Sequence, residues 1–473
     1  MVYDRSSNTK LSSGSKKKKG NKKNKNSNRK KYNGGIERKN AKNTRAAIVA
    51  DAPVIKYDLL AMVPGILLCC MTVMMLLSDL MTDDFQLQYD LYPKLFRYAD
   101  AAAVVCGIAY FCVLLANQTR RKLLVRRIRT ERTWLYFALF LIYIFISTCI
   151  NGFTNEAIHG IPYRNIGVFN MVSFVLLYMG ISSCIRTETM RKIVLISIAA
   201  AADAIAVSAV YDLYVGEIIS YRAKKELSAI FFNGNHYGYF LVIAVLIGFG
   251  LMLYADRALL AVGVVTSALN MIMLMVNHSL GCILAVVIVI MVTSAAVLIG
   301  DVDRRRRLLI ILGVAIVFFI LAWLLSENIR DEFSVLYKDA GSILAGDAKG
   351  SEGHNRIKIW RRTWGYITEK PLFGYGCEGM SERLYIGTGI SNPHNELLTY
   401  AAYYGIPAAI AYLIGVTSVF ANYLRRKNKA EAGQKIACIA AAGYFISSVT
   451  GVAMFYLTPF FFVLLGISAI EKR

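Results

Sequence analysis

Charged side chains are scarce in this chain. Asp, Glu, Lys and Arg together make up 18% of its 473 residues, against about a quarter in a typical soluble protein. Hydrophobic residues fill 56%. That balance excludes a disordered protein and argues against an ordinary soluble enzyme. Acidic residues are scarcer than basic ones, 31 against 54, yet the net charge of +23 does not signal a nucleic-acid binder, because the apolar runs are too long. No CxxC pair and no Cys/His set at zinc spacing occurs. Cys69, Cys70, Cys106, Cys112, Cys149, Cys184, Cys282 and Cys438 fall inside apolar runs and only Cys377 in a polar region, so they read as small core residues. No Walker A motif or Rossmann glycine pattern sits in a suitable context, which argues against a nucleotide-driven pump. No cleavable signal peptide is visible, since the first apolar run begins near residue 59.

What is present is basic at the start and apolar after it. Residues 1–57 hold 17 Lys and Arg against 3 Asp and Glu, including Lys16 to Lys19. Such a segment cannot bury a core and reads as a disordered cytoplasmic tail, with contact to anionic lipid as a further option. A helix needs about 20 apolar residues to cross the hydrocarbon. Twelve runs qualify: 59–80, 99–117, 133–151, 167–185, 192–214, 237–254, 258–277, 280–300, 308–325, 397–420, 435–453 and 456–470. The expected fold is all-α and integral to the membrane. Its regions are the tail (1–57), nine spans (58–325), a large external loop with an amphipathic helix (326–396), and three final spans (397–473).

Positive charge supports that count. With the tail inside, every even-numbered loop is basic: Arg120, Arg121, Lys122, Arg126, Arg127 and Arg129; Arg186, Arg191 and Lys192; Arg257; Arg304 to Arg307; and Arg425, Arg426 and Lys427. This is the pattern of cytoplasmic loops, with both termini inside a cell membrane. Residues 152–166, by contrast, are nearly neutral. All five histidines (His159, His236, His278, His354 and His394) fall on the external side.

Within the large loop, apolar residues 357, 360, 364 and 367 have helical spacing after a possible N-cap, Asn355. Arg356 would open that helix, where a guanidinium beside free backbone N–H groups favours an anion. Trp360 and Trp364 would sit at headgroup depth. His394 lies where the loop meets a span. There a half-dry setting can tune its proton affinity and let it accept a proton from a hydroxyl. Arg222, Lys224 and Lys225 stand on the external side against the usual bias, which suits an anionic ligand such as a diphosphate. Asp203, in mid-span, is a functional candidate by position, though a hydrogen-bonding role between helices ranks higher.

Three ordered segments resemble the O-antigen ligase and O-antigen polymerase superfamily. Phe232-Asn233-Gly234-Asn235-His236-Tyr237 is similar to its F-x-N-P-N segment, with Gly234 where Pro is usual. Arg356-Ile357-Lys358-Ile359-Trp360 followed by Pro371-Leu372-Phe373-Gly374-Tyr375-Gly376 resembles R-x-x-x-W … P-L-x-G-x-G. His394-Asn395 followed by Tyr404-Gly405-Ile406-Pro407 is similar to H-N-x-x-L … x-G-I. One departure is Asn277-His278-Ser279-Leu280-Gly281, where Leu280 takes the place of an Arg common in the family.

The resemblance implies a GT-C-like membrane glycosyltransferase. Its donor would be a glycan on undecaprenyl diphosphate. Its acceptor would be a sugar hydroxyl of another lipid-linked glycan or a surface lipid, and it would need no metal or other cofactor. No DxD-type metal motif sits in a suitable context, which fits that expectation. On this reading His394 is catalytic, and Arg356, Arg222, Lys225 and His278 bind the diphosphate. Asn233, Asn235, Asn395 and Trp360 contact the rest of the substrate. The rival reading, a flippase or secondary transporter of lipid-linked glycans, suits twelve spans. It predicts internal repeats and polar midplane helices, and neither is visible.

Overall fold

A computed structural model describes Cys70 and residues 85–469, apart from 162–163, 215–227, 278, 326, 346–354 and most of 117–131. The basic tail and the first expected span, Cys70 excepted, lie outside the described residues. The chain order is α1 (Phe85–Ala116), α2 (Thr133–Asn151), α3 (Asn155–His159), α4 (Val168–Cys184), α5 (Glu188–Tyr214), α6 (Gly234–Tyr254), α7 (Arg257–Val276), α8 (Leu280–Gly300), α9 (Val302–Leu325), α10 (Glu327–Leu344), α11 (Arg356–Glu369), α12 (Ser381–Thr388), α13 (Glu396–Tyr404), α14 (Ile406–Arg426), α15 (Ala432–Ser448) and α16 (Thr458–Ser468).

The all-helical expectation holds, and this is a multi-pass membrane protein, but the count of twelve spans is not reproduced. Among the described residues seven helices are long and apolar enough to cross a bilayer: Asp90–Cys112, Thr133–Asn151, Glu188–Leu213, Gly234–Tyr254, Arg257–Val276, Leu280–Gly300 and Ile406–Lys429. The closely spaced runs 258–277 and 280–300 are indeed two helices. The expected span 397–420 is broken at Gly405, which has φ +94°, and a Cβ there would lie 2.1 Å from the Leu372 carbonyl oxygen. The break frees the Ile406 N–H to donate to Pro371 O at 2.8 Å. The expected final span shortens to α16, whose 11 residues reach only about 16 Å at 1.5 Å per residue.

α6 is the axis of the bundle. Every residue from His236 to Leu251 is buried, whereas helices such as α7 and α8 keep broad apolar faces outward, as lipid contact requires. α6 packs on α7 and α15, α14 packs on α2, and α16 packs on α4. Without a hydrophobic force between helices in lipid, close approach depends on small residues. A Cβ on Gly248 would come within 2.5 Å of Ser267 N, and one on Gly443 within 2.1 Å of Leu246 Cδ1. Buried carboxylates add polar ties between helices. Asp203 accepts from Thr266 Oγ1 (2.7 Å) and Asn270 Nδ2 (2.8 Å), giving it a structural role. Asp100 accepts from Asn170 Nδ2 (2.7 Å) and Ser173 Oγ (2.8 Å).

The basic loops gather at one end of the bundle. Arg191 pairs with Glu431 at 2.6 Å and Lys192 with Asp256 at 2.7 Å. Arg304 and Arg307 donate to the Leu253 and Ala255 carbonyls at the C-terminal end of α6, each at 3.0 Å. The N-terminus of α6, with His236 in its first turn, points to the opposite end.

Gly248→Leu should lower stability by about 3 kcal/mol, because the new side chain meets backbone rather than a movable neighbour. Gly180→Ala, where an added Cβ meets nothing within 4 Å, should leave it unchanged. Thermal unfolding of the detergent-solubilised protein distinguishes the two.

Candidate active site

The end of the bundle away from the basic loops collects polar groups from five chain segments. The first is the loop before α13. His394 sits there in the left-handed region (φ +51°), held because its N–H donates to Asn392 Oδ1 at 2.9 Å. Trp360 in α11 donates its indole N–H to Pro393 O at 2.9 Å. Asn395 Oδ1 accepts from Leu398 N at 3.0 Å and so caps α13. Asn395 and Trp360 thus brace the His394 loop.

Arg356 opens α11, as the spacing implies. Asn355 occupies the N-cap position but in the left-handed region, with no side-chain cap bond. The buried face of α11 is Ile359, Thr363, Tyr366 and Ile367, not the 357/360/364/367 stripe. Both sets have helical spacing, and packing on α13 decides between them. Trp364 is therefore exposed, and Trp360 is spent on Pro393 rather than on headgroups.

The Arg356 guanidinium lies over the start of α8, with Nη1 3.9 Å from where a Gly281 Cβ would stand. The close neighbour of Gly281 is Thr450, whose Oγ1 would lie 2.8 Å from that Cβ. Arg356 has no acidic partner among the described residues. Next to it, Tyr239 donates to Thr450 O at 2.9 Å.

The N-terminus of α6 contributes Asn233, Asn235 and His236. Asn233 Oδ1 caps the helix by accepting from Asn235 N at 2.8 Å. Asn235 Oδ1 accepts from Ser279 Oγ at 3.2 Å, and Asn277 Nδ2 donates to Gly234 O at 2.8 Å. Of the asparagines expected to touch substrate, Asn233 therefore caps α6 and Asn235 joins α6 to the α7–α8 turn. His236 is buried, with Nδ1 2.6 Å from the Tyr456 hydroxyl. Arg222, Lys225 and His278 lie outside the described residues.

A deeply buried ion pair has no counterpart among the residues read from sequence. Arg164, 3% exposed, pairs with Glu378, 9% exposed. Its Nε donates to Oε1 at 2.8 Å, and Nη2 engages Oε2. Glu378 also accepts from Ser381 Oγ at 2.5 Å and Tyr403 OH at 2.8 Å. Arg164 Nη1 donates to Ser391 Oγ at 3.3 Å, and Phe455 N donates to Arg164 O at 3.2 Å. The test that marked Arg222, a basic residue against the charge bias, applies equally to Arg164.

Burial, followed by the charges of Arg356 and Arg164, pushes the His394 pKa down to about 4. Burial alone would raise Glu378. The Arg164 guanidinium and three hydrogen bonds offset that and hold it below the usual carboxylate value. His394 is thus a neutral imidazole at physiological pH, set beside guanidiniums. Four of the five described non-glycine residues at positive φ are Asn165, Asn355, Glu378 and His394. Each is a site residue or adjoins one, and such backbone costs about 1–3 kcal/mol per residue.

Residues 264–413 match the family model described as O-antigen ligase. This segment is similar to the O-antigen ligase domain. A comparison with curated proteins finds no match. The domain makes this a membrane glycosyltransferase-type enzyme. The O-antigen ligase segment itself supplies Arg356, Glu378 and His394, while the surrounding bundle supplies Arg164, His236 and Tyr456.

Arg164→Met alone leaves a buried carboxylate without its partner and should cost about 3–5 kcal/mol. The double variant Arg164→Met/Glu378→Met should recover most of that loss in thermal unfolding.

Proposed function

We propose that this enzyme transfers a glycan from an undecaprenyl-diphosphate carrier to a sugar hydroxyl, as a polymerase or ligase of cell-surface polysaccharide. The observation that carries the reading is a buried neutral imidazole, His394, in the segment that matches the O-antigen ligase model, under the charges of Arg356 in that segment and Arg164 before it.

The roles follow from charge. Cleaving the sugar–diphosphate bond leaves negative charge on the carrier phosphate, and Arg356, with no acidic partner among the described residues, is suited to receive it. His394 takes the proton of the acceptor hydroxyl as its oxygen attacks the anomeric carbon. Attack in line with the departing diphosphate inverts that carbon. Arg222, Lys225 and His278 complete the diphosphate site in this proposal. The gathering of basic loops at the far end of the bundle supports placing the site on the external face, with both termini in the cytoplasm. Residues 326–396, which carry α10, α11 and α12, then form the external region over the site.

His394→Ala should lower the transfer rate about 100- to 10,000-fold and Arg356→Ala about 100- to 1,000-fold, assayed with purified protein and a lipid-diphosphate glycan. Full activity in either variant removes that residue from the mechanism. Because the His394 pKa lies at about 4, the rate should be flat through neutral pH and fall only in the acid range as the imidazole gains its proton. An inflection near the ordinary histidine value would overturn its assignment as a neutral base.

A further inference from the structure

The turn after α11 carries a second group of cations that the transfer chemistry does not use. Its position is fixed by three contacts with membrane helices. Pro371 O accepts from Ile406 N, the first residue of α14, at 2.8 Å. Ser147, in the last turn and a half of α2, donates to Phe373 O at 2.5 Å. Tyr143 stacks on Phe373 with ring centroids 6.3 Å apart. Residues 370–375 therefore lie where two spans leave the hydrocarbon.

At this level two tyrosine rings organise three cations. Lys370 Nζ stands 4.6 Å from the Tyr375 ring centre, and the Arg383 guanidinium 5.6 Å from the same ring. Tyr375 meets Tyr366 edge-on, centroids 6.2 Å apart. Arg362 lies 5.6 Å from the Tyr366 ring and donates to its hydroxyl at 3.3 Å. The rings are 8% exposed, so they are fixed platforms, and cation–π contact orders the charges without neutralising them. Among the described residues no carboxylate forms an ion pair with Arg361, Arg362, Lys370 or Arg383. The neighbouring Glu369 is taken by the Tyr375 hydroxyl at 2.5 Å, and Glu382 is exposed on α12. Large apolar side chains are interleaved with the cations and face outward: Leu372 is 60% exposed, Trp364 54%, Tyr385 59% and Ile386 78%.

We propose that this surface is a binding site for the headgroup of an anionic phospholipid in the leaflet on the active-site side. Ordered cations left without acids complement a phosphate, and the exposed Leu372 beside them complements acyl chain. This alternation of charge and apolar surface is what an interface between water and hydrocarbon accepts. A soluble acidic polymer would match the cations but not the apolar side chains, which is why the lipid is favoured. The bound headgroup steadies the turn that packs on Gly405, at the foot of the helix leading back to His394.

The test is native mass spectrometry of the purified full chain with added phosphatidylglycerol or phosphatidylcholine. It is run on the natural protein and on the double variant Lys370→Gln/Arg383→Gln. At least five-fold more bound phosphatidylglycerol than phosphatidylcholine is expected, with that preference abolished in the double variant. Equal retention of the two lipids overturns the proposal, as does a preference that survives the substitutions. Competition by dextran sulfate without any phosphatidylglycerol preference overturns it in favour of an acidic polymer. A phosphatidylglycerol control with Arg425→Gln/Arg426→Gln, at the other end of the bundle, should keep the preference. The readout is binding alone, so its failure leaves the transfer reading untouched, and loss of transfer activity leaves it untouched in turn.

Discussion

The buried ion pair between Arg164 and Glu378 is the constraint on which the site end depends. A guanidinium and a carboxylate removed from water are tolerated only when each donor and acceptor is met. Here that requirement recruits Ser381 and Tyr403 to the carboxylate and Ser391 to the guanidinium. Arg164 also holds Phe455 through its carbonyl. The loop before α4, the turn before α12, helix α13, the His394 loop and the connection before α16 are therefore assembled together. Irregular backbone at membrane depth survives only where protein satisfies its polar groups, and this network is how the chain meets that condition.

Positive charge then does two things in one place. Burial, reinforced by the charges of Arg356 and Arg164, makes an additional proton on His394 unfavourable, which keeps the imidazole neutral and able to accept one. The same guanidiniums make the surroundings favourable for an anion. Arg164 is neutralised at short range by Glu378, whereas Arg356 is not, so the free charge is concentrated over Gly281. That glycine lies next to Leu280, and a Cβ on it would press on Thr450 Oγ1 at 2.8 Å. The left-handed backbone at Asn355 and His394 shows that local conformational energy is given up to aim these groups, which happens where surrounding contacts overdetermine the geometry.

Much of the architecture was legible in the linear pattern, because lipid imposes a strong rule: long apolar runs become helices that satisfy their own backbone. The pairing of α7 with α8 across three residues and the gathering of basic loops at one end were readable in this way. So was the structural use of Asp203, though not the identity of its partners. The breaks were less legible. Nothing in the run 397–420 announces that Gly405 must yield to the Leu372 carbonyl, since that contact joins residues distant in the chain. The face of α11 was likewise ambiguous, because two stripes satisfy the same periodicity.

The sequence by itself determined that the chain is a helical membrane protein, and it singled out His394 and Arg356 as candidates. It also determined that three short segments follow the order of a glycan-transferring family. These are properties of hydropathy, charge and local spacing, which need no partner. Tertiary structure alone decided that Arg164 and Glu378 pair beneath the site and that Asn233 and Asn235 serve α6. It alone decided that Trp360 braces the His394 loop and that His236 meets Tyr456. Each of these depends on hydrogen bonds or ring contacts between segments remote in sequence, and only close packing brings such groups within reach.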